Sequence, residues 1–393
     1  MHWPDGTLID RGLVLFFPGP GSFTGEDVAE LHVHGGRAVV SAVLARLGQV
    51  PGLRPAEPGE FTRRAFLNGR VDLTEVEGLS DLIQAETEAQ RRQAVRQASG
   101  GLREIFDGWR ARLVKARAMV EAELDFADEE DVPGSVSDLA WLEAAEIAGE
   151  IGRQLDNQHS GERLRDGAEV VLIGPVNAGK SSLINALARR DVAIVSPEPG
   201  TTRDIIEVRL DIGGYPFTLV DTAGLRQSEG AVEREGMRRA RARAGGADVV
   251  LAVGDVTGPG PAGEFEGVPF VVGVGTKVDL VDSEEERARL SGVFDVLVSS
   301  ETGEGLDALL DALLAFARDA MQPGESSLIT RARHRATLAT CRDALVRSGD
   351  AALPLELRAE ELRHASDELA RLTGRIDVED LLDVIFRDFC IGK

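Results

Sequence analysis

The sequence predicts an α/β domain built on a parallel sheet, inserted into an all-α helical domain and preceded by a partial α+β unit at the N-terminus. Three observations lead there. Between residues 166 and 322, short β-branched runs alternate with helical stretches, the pattern of strands joined by crossover helices. Stretches of helical spacing, rich in Ala, Glu, Arg and Leu, flank that region on both sides. Near the start, one apolar strand follows a turn that only four residues precede. At ~150 residues per domain, a chain of 393 residues holds two or three domains. The expected boundaries are 1–72, 73–165, 166–322 and 323–393, the second and last being the two parts of the helical domain.

Each element follows from local chemistry. Asp5-Gly6 is a hairpin-turn signal, and Gly12–Phe17 reads as the strand after it. So few residues before the turn cannot supply a stable partner, so the first unit begins in mid-fold. Apolar spacing from Gly25 to Leu47 predicts a helix, ended by the Pro/Gly-rich connection Pro51–Gly59. From Glu75 to about Glu130 the pattern is helical, with breaks expected at Gly100-Gly101 and Gly108. Another helix is expected over Asp138–Leu164, with Ser135 or Ser137 as N-cap. Strands are expected at Glu169–Ile173, Phe217–Val220, Val249–Val253, Phe270–Val274 and Val293–Val298. Pro323-Gly324 marks a linker, and helical pattern resumes from Thr330 to Phe389.

Composition excludes several classes. A formal charge of −23 argues against a protein that coats nucleic acid non-specifically, and any RNA contact needs a local basic patch. The arginines Arg234, Arg238, Arg239, Arg241 and Arg243, and the cluster Arg63, Arg64 and Arg70, read first as solvated faces. Two cysteines, Cys341 and Cys390, cannot build a disulfide framework and fit a reducing compartment. No apolar run approaches the ~20 residues a spanning helix needs, and Met1–Gly6 lacks the regions of a secretion leader. A cytoplasmic protein with no membrane partner is expected.

The strongest motif is Gly174-Pro175-Val176-Asn177-Ala178-Gly179-Lys180-Ser181, which fits G-x-x-x-x-G-K-[ST] between a predicted strand and a helix at Ser181–Ala188. Glycines let backbone N–H groups wrap phosphates, and the helix N-terminus adds positive potential. Lys180 reaches the outer phosphates and the Ser181 hydroxyl holds Mg²⁺. With Ala178 and Ser182, these residues form the expected phosphate contact. Asp221-Thr222-Ala223-Gly224 ends a strand, where an aspartate holds Mg²⁺ through water and a glycine N–H senses the γ-phosphate. Gly200-Thr201-Thr202 lies between these elements, with Thr202 placed to complete the Mg²⁺ shell. Together these point to a P-loop domain of the Ras-like kind.

The base is read further on. Asp279, in Thr276-Lys277-Val278-Asp279, accepts from the N1–H and N2–H₂ of guanine, a donor pattern adenine lacks. Ser299-Ser300-Glu301 offers backbone N–H groups to the guanine oxygen. The nucleotide is therefore GTP. Thr276 stands where GTPases usually carry asparagine, which predicts weaker nucleotide binding without a change of base.

Leu225 follows Gly224, where Ras-like proteins place the glutamine that orients the attacking water. Glu229, Glu233 and Glu235 are the nearby alternatives, each read in isolation as a solvated helix carboxylate. No arginine finger is evident. Asn177 with the loop Ser196–Thr201 could instead hold a monovalent cation against the phosphates, where it neutralises charge developing in the transition state.

These motifs stand beside Phe17–Asp27 (FPGPGSFTGED), His34-Gly35-Gly36, Pro58–Gly69 (PGEFTRRAFLNG) and the closing Phe389-Cys390-Ile391-Gly392-Lys393. In this combination the sequence resembles the MnmE (TrmE) family of tRNA-modification GTPases over nearly its whole length. The resemblance implies that Asn177 ligates K⁺, with Ser196, Glu198 and Thr201 around it, and that Pro197, Pro199 and Gly200 belong to the same nucleotide loop. It implies Mg²⁺ on Ser181 and Thr202, and Glu233 as the catalytic glutamate. It also implies a tetrahydrofolate-binding-like N-terminal domain that takes 5-formyltetrahydrofolate through Glu30, Arg70 and Lys393. Arg70 stands where lysine is common. The family's opening strands, with a folate-contacting arginine, precede the point at which this sequence starts. Cys390 is implicated in the modification chemistry; read alone it is a small buried residue, and Cys341 reads as packing.

Further implied are a homodimer whose GTPase domains meet across the nucleotide and an FAD-containing MnmG-type partner in a heterotetramer. The implied product is a 5-carboxymethylaminomethyl (or aminomethyl) group on the wobble uridine of certain tRNAs. Two alternative readings remain. A ribosome-assembly GTPase of the Era or EngA type needs an RNA-binding module after the GTPase domain, and Thr330–Lys393 does not read as one. A nucleotide-gated scaffold without folate chemistry is the other.

Overall fold

The computed structural model describes residues 1–125, 136–156, 158–190, 192–194, 206–221, 245–258, 267–321 and 329–376. The chain divides into two compact units. One comprises Met1–Ile83, Arg96–Gly149 and Thr340–Lys393; the other comprises Gln84–Val95 and Glu150–Ala339.

At the N-terminus, His2 and Leu8 bridge across the Asp5-Gly6 turn. Strand β1 (Leu13–Phe17) then pairs antiparallel with β2 (Val28–His32), Leu15 opposite Glu30. The helix expected from Gly25 therefore starts only at Arg37, as α1 (Arg37–Leu47). The pairing with β1 gives 28–32 a ladder partner that local spacing does not reveal. Helix α2 (Glu60–Leu67) and α3 (Leu73–Gln84) follow. Helix α3 opens on a reciprocal cap. Asp72 Oδ1 accepts from the Glu75 N–H at 2.9 Å, and Glu75 Oε2 accepts from the Asp72 N–H at 2.7 Å.

The long helical run breaks twice, giving α4 (Glu88–Ala98) and α5 (Gly101–Asp125). Gly100, at φ 89°, makes the expected break before α5. Gly108 does not break α5, because an exposed glycine costs helix propensity without disturbing its hydrogen bonds. The single helix expected over 138–164 is two, α6 (Val136–Asp156) and α7 (Gln158–Asp166).

The second unit is organised by a six-stranded sheet. Its strands are β3 (Ala168–Ile173), β4 (Ile206–Ile212), β5 (Tyr215–Asp221), β6 (Val249–Asp255), β7 (Phe270–Thr276) and β8 (Val296–Val298), in the order β4-β5-β3-β6-β7-β8. Strands β5, β3, β6, β7 and β8 run parallel, as expected. Strand β4 was not expected and runs antiparallel to β5 across a two-residue Gly213-Gly214 turn, both glycines at positive φ. Val170 and Leu172 of β3 join a core with Leu183 and Leu187 of α8 (Lys180–Ala188), while Val171 and Ile173 pack on the opposite face with Val220 and Val250. After β7 come a single 3₁₀ turn, Val278–Leu280, and α9 (Glu284–Leu290). Helix α10 (Leu306–Ala320) follows β8, and its Leu309 and Leu313 complete the first core.

The C-terminal stretch contributes α11 (Ala332–Ser348) and α12 (Leu355–Leu372). In the first unit α12 packs on α5, whose Leu102, Phe106, Trp109, Leu113 and Val120 form one buried stripe. Arg375 pairs with Asp107 of α5 at 2.9 Å, so the turn that follows α12 is tied to that helix. The helical expectation for 377–389 lies outside the described residues. No described helix is long and apolar enough to cross a membrane.

Candidate nucleotide site

The loop after β3 is shaped by backbone demands. A Cβ on Gly174 would sit 2.0 Å from the Val253 carbonyl oxygen, so only glycine fits beside β6. Gly179 holds φ 84° as the N-cap of α8. Asn177 holds φ 65°, a left-handed position asparagine tolerates better than most residues, and its side chain is exposed. Ala178 is buried between them. The N-terminus of α8 opens onto this loop with Ser181 and Ser182 exposed on its first turn, the arrangement that favours phosphate. Lys180 is only 7% exposed, and its Nζ donates to the Gly174 and Pro175 carbonyls at 2.7 and 2.8 Å. These two bonds hold the ammonium across the loop. A lysine ammonium held beside a helix N-terminus is a donor set that fits a polyphosphate.

Thr276 ends β7 fully buried. Its hydroxyl donates to the Ala178 carbonyl at 2.7 Å, with the Gly254 carbonyl at 3.2 Å. The threonine that replaces the usual asparagine therefore keeps a direct tie to the phosphate loop. Lys277, at φ 62°, pairs through Nζ with Asp255 Oδ2 at 2.5 Å, a partner that sequence reasoning missed. Burial alone would raise the Asp255 carboxyl, but the Lys277 ammonium and the Thr257 donors outweigh it and hold it below the ordinary carboxylate value. Only its place at the end of an apolar strand marked Asp255 in sequence.

Asp279 lies half-buried in the 3₁₀ turn. Beyond β8, the Ser299 N–H is committed to the Glu304 carbonyl at 2.9 Å, and the Glu301 N–H to Ser299 Oγ at 3.3 Å. Of the three amides expected to face the guanine oxygen, that of Ser300 remains as donor.

The phosphate loop, the Lys277–Asp279 turn and the Ser299–Glu301 turn follow β3, β7 and β8. These strands are parallel, so all three loops gather at one edge of the sheet, where α/β folds bind ligands. Asp221 closes β5, paired with Leu172 of β3. Its side chain lies outside the described residues. So do Ser196, Pro197, Glu198, Pro199, Gly200, Thr201 and Thr202, Thr222, Ala223 and Gly224, Glu233, Cys390 and Lys393. Among the described residues no cluster of His, Cys, Asp or Glu could hold a metal. The Ser181 hydroxyl and the Asn177 carboxamide, both exposed at the loop, suit Mg²⁺ and K⁺ as oxygen donors beside a phosphate.

Residues 73–390 match the family model described as the MnmE helical domain, and residues 1–70 match the GTP-binding protein TrmE N-terminus. The chain belongs to the MnmE family. It is similar to the tRNA modification GTPase MnmE of Mesorhizobium japonicum, 55% identical over 391 residues, 99% of this chain and 88% of the relative. The protein of that name from Parvibaculum lavamentivorans is 56% identical over 393 residues, covering 98% and 87%. Among solved structures, the G domain of the T. maritima FeoB iron transporter aligns at 28% identity over 38% of this chain and 98% of that chain, with a TM-score of 0.29.

The first unit joins the two N-terminal MnmE-family motifs. Asn68 Nδ2 donates to the Thr24 carbonyl at 2.8 Å and to Glu26 Oε1 at 2.9 Å, and Arg64 pairs with Glu26 at 2.6 Å. Exposed Arg70 lays its stem over Gly25, whose added Cβ would come 3.2 Å from Arg70 Cγ. Exposed Glu30 lies on β2 with its carboxylate 3.1 Å from His32 Nε2.

Proposed function

We propose that this chain is a potassium-dependent GTPase. With an FAD-containing MnmG-type partner it forms the 5-carboxymethylaminomethyl (or aminomethyl) group on the wobble uridine of certain tRNAs, in the cytoplasm, as a homodimer. The observation that carries the GTPase reading is the convergence of three loops on one sheet edge: the phosphate loop, the Asp279 turn and the Ser300 amide. Lys180 and the N-terminus of α8 bind the phosphates, Asp279 reads N1–H and N2–H₂, and Ser300 reads the guanine oxygen. Ser181 with Thr202 would hold Mg²⁺. Asn177 with Ser196, Glu198 and Thr201 would hold K⁺. Bound there, the cations supply positive charge to a phosphoryl group whose own charge grows during transfer. Glu233 is the candidate to orient water, since Leu225 cannot. Glu30, Arg70 and Lys393 would hold 5-formyltetrahydrofolate, with Cys390 nearby. The tRNA reading rests on family membership and on the joined N-terminal motifs.

GTP turnover in K⁺ against Na⁺ tests the cation reading. The wild-type chain is expected to be at least ~10-fold faster in K⁺, and Asn177→Ala to remove the difference while retaining GDP binding. Equal wild-type rates in the two salts reject it. Nucleoside analysis of tRNA treated with chain, partner, GTP and formyl-folate tests the rest: an unmodified wobble position rejects the modification reading.

A further inference from the structure

We propose that Arg287 of α9 is a positioning residue for base selectivity, holding the turn that carries Asp279 in register with the turn after β8. This rests on the reading of Asp279 as the guanine acceptor. The guanidinium has three sets of partners. Nε donates to the Val281 carbonyl at 3.0 Å and Nη2 to the Val278 carbonyl at 3.3 Å, so two of its nitrogens grip the 3₁₀ turn on either side of Asp279. Nη1 pairs with Glu304 Oε1. Glu304 belongs to the other turn, where its own carbonyl accepts from the Ser299 N–H at 2.9 Å.

Helix α9 is itself fixed for this task. Ser283 Oγ caps its start by accepting from the Glu286 N–H at 3.4 Å, and Leu290 packs with Val256, Val281 and Phe294 against Leu297 of β8. The Arg287 stem therefore rises from a helix packed against Val281, beside the Asp279 turn, and against Leu297 of β8.

Selecting guanine needs a carboxylate for N1–H and N2–H₂ and an N–H for the oxygen, at one spacing. Here those groups come from loops after different strands, β7 and β8, whose ladder ends at Thr276–Val298; beyond it, among the described residues, no backbone hydrogen bond joins the two loops. Arg287 bonds to both. Lysine could not replace it, because one ammonium lacks the planar fork that reaches two carbonyls and a carboxylate together. The guanidinium is a third exposed, so its effect falls on loop register more than on global stability.

The test is equilibrium binding of GDP, inosine diphosphate, 2-aminopurine riboside diphosphate and xanthosine diphosphate to the full chain. The variants are Arg287→Ala, Arg287→Lys, Glu304→Gln and Asp279→Asn. Inosine lacks the 2-amino group that Asp279 reads, and 2-aminopurine lacks both the oxygen that Ser300 reads and the N1–H, keeping only the 2-amino contact to Asp279. The wild type is expected to prefer GDP to both, and Asp279→Asn to shift preference to xanthosine diphosphate. Arg287→Ala is expected to lower GDP affinity roughly tenfold and to shrink both preferences at least about threefold. Turnover at saturating GTP and the melting temperature should stay near wild type. Arg287→Lys and Glu304→Gln should fall between Arg287→Ala and wild type, with Glu304→Gln shrinking the 2-aminopurine preference more than the inosine preference, since inosine keeps the oxygen. If Asp279→Asn does not shift the base preference, the base-site reading and this proposal fall together. If it does, and folded Arg287→Lys and Arg287→Ala keep both preferences within twofold of wild type, the proposal alone is overturned.

Discussion

Thr276→Val isolates one buried hydroxyl. Thr276 is 1% exposed, and its single proton serves the Ala178 carbonyl at 2.7 Å, with the Gly254 carbonyl 3.2 Å away. Valine keeps the shape and removes the donor. The lost hydrogen bond, together with a buried carbonyl left without it, costs about 1–2 kcal/mol. A methyl group also tolerates no 2.7 Å approach to oxygen, so the phosphate loop must move outward by several tenths of an ångström. At about 2–4 °C per kcal/mol for a unit of this size, melting of the nucleotide-binding unit should fall by about 2–8 °C. The same displacement should lower GDP affinity roughly five- to tenfold, and amide exchange at residues 177–180 should quicken. Thermal unfolding with and without GDP, GDP titration and hydrogen exchange read these effects. A variant that melts within about 1 °C of wild type, with unchanged exchange in the loop, would show that the hydroxyl does not tie Thr276 to Ala178.

Two further outcomes concern the first unit. Burial pushes the Asp72 carboxyl above its ordinary value, against the opposing pull of the Glu75 N–H and the Thr74 hydroxyl. The folded chain then binds the extra proton between the unfolded value of 3.8 and that raised value, so stability should fall as pH rises through this window. Asp72→Asn keeps the capping oxygen and should flatten that slope in urea unfolding, whereas Asp72→Ala should lose about 1 kcal/mol with the cap; an unchanged slope in Asp72→Asn would assign the dependence elsewhere. Burial likewise pushes the Cys341 thiol up to about 12, and its Sγ donates to the Ala365 carbonyl at 3.4 Å. Peptide mapping after alkylation at neutral pH should therefore find Cys341 unmodified in native protein and modified in urea. Rapid native labelling would contradict the packing.

Much of the nucleotide site was legible because its requirements are local. Gly174 and Gly179 are demanded by a close approach and a left-handed turn, and the pattern that announces them spans eight adjacent residues. The parallel strands were legible because β-branched runs buried on both faces have no other common explanation. Strand β4 was not, although Gly213-Gly214 between two apolar runs is a hairpin signal that could have revealed it. The β2 segment misled because its spacing also suits a helix, and only its pairing with Leu13–Phe17 decides between the two.

The sequence by itself therefore determined the chemistry on offer: a phosphate loop, a guanine-reading aspartate and the family's N-terminal motifs, each written in neighbouring residues whose backbone geometry is self-contained. Tertiary structure alone decided which groups work on one another. Thr276 touching Ala178, Asp255 meeting Lys277, Asn68 clasping Glu26 and Arg287 reaching across to Glu304 all join residues separated in sequence by 17 to 98 positions. No local pattern encodes such pairings, because they exist only once the chain has folded: three once the strands have set their order and brought their ends to one edge, and Asn68–Glu26 once α2 has packed beside the segment before β2.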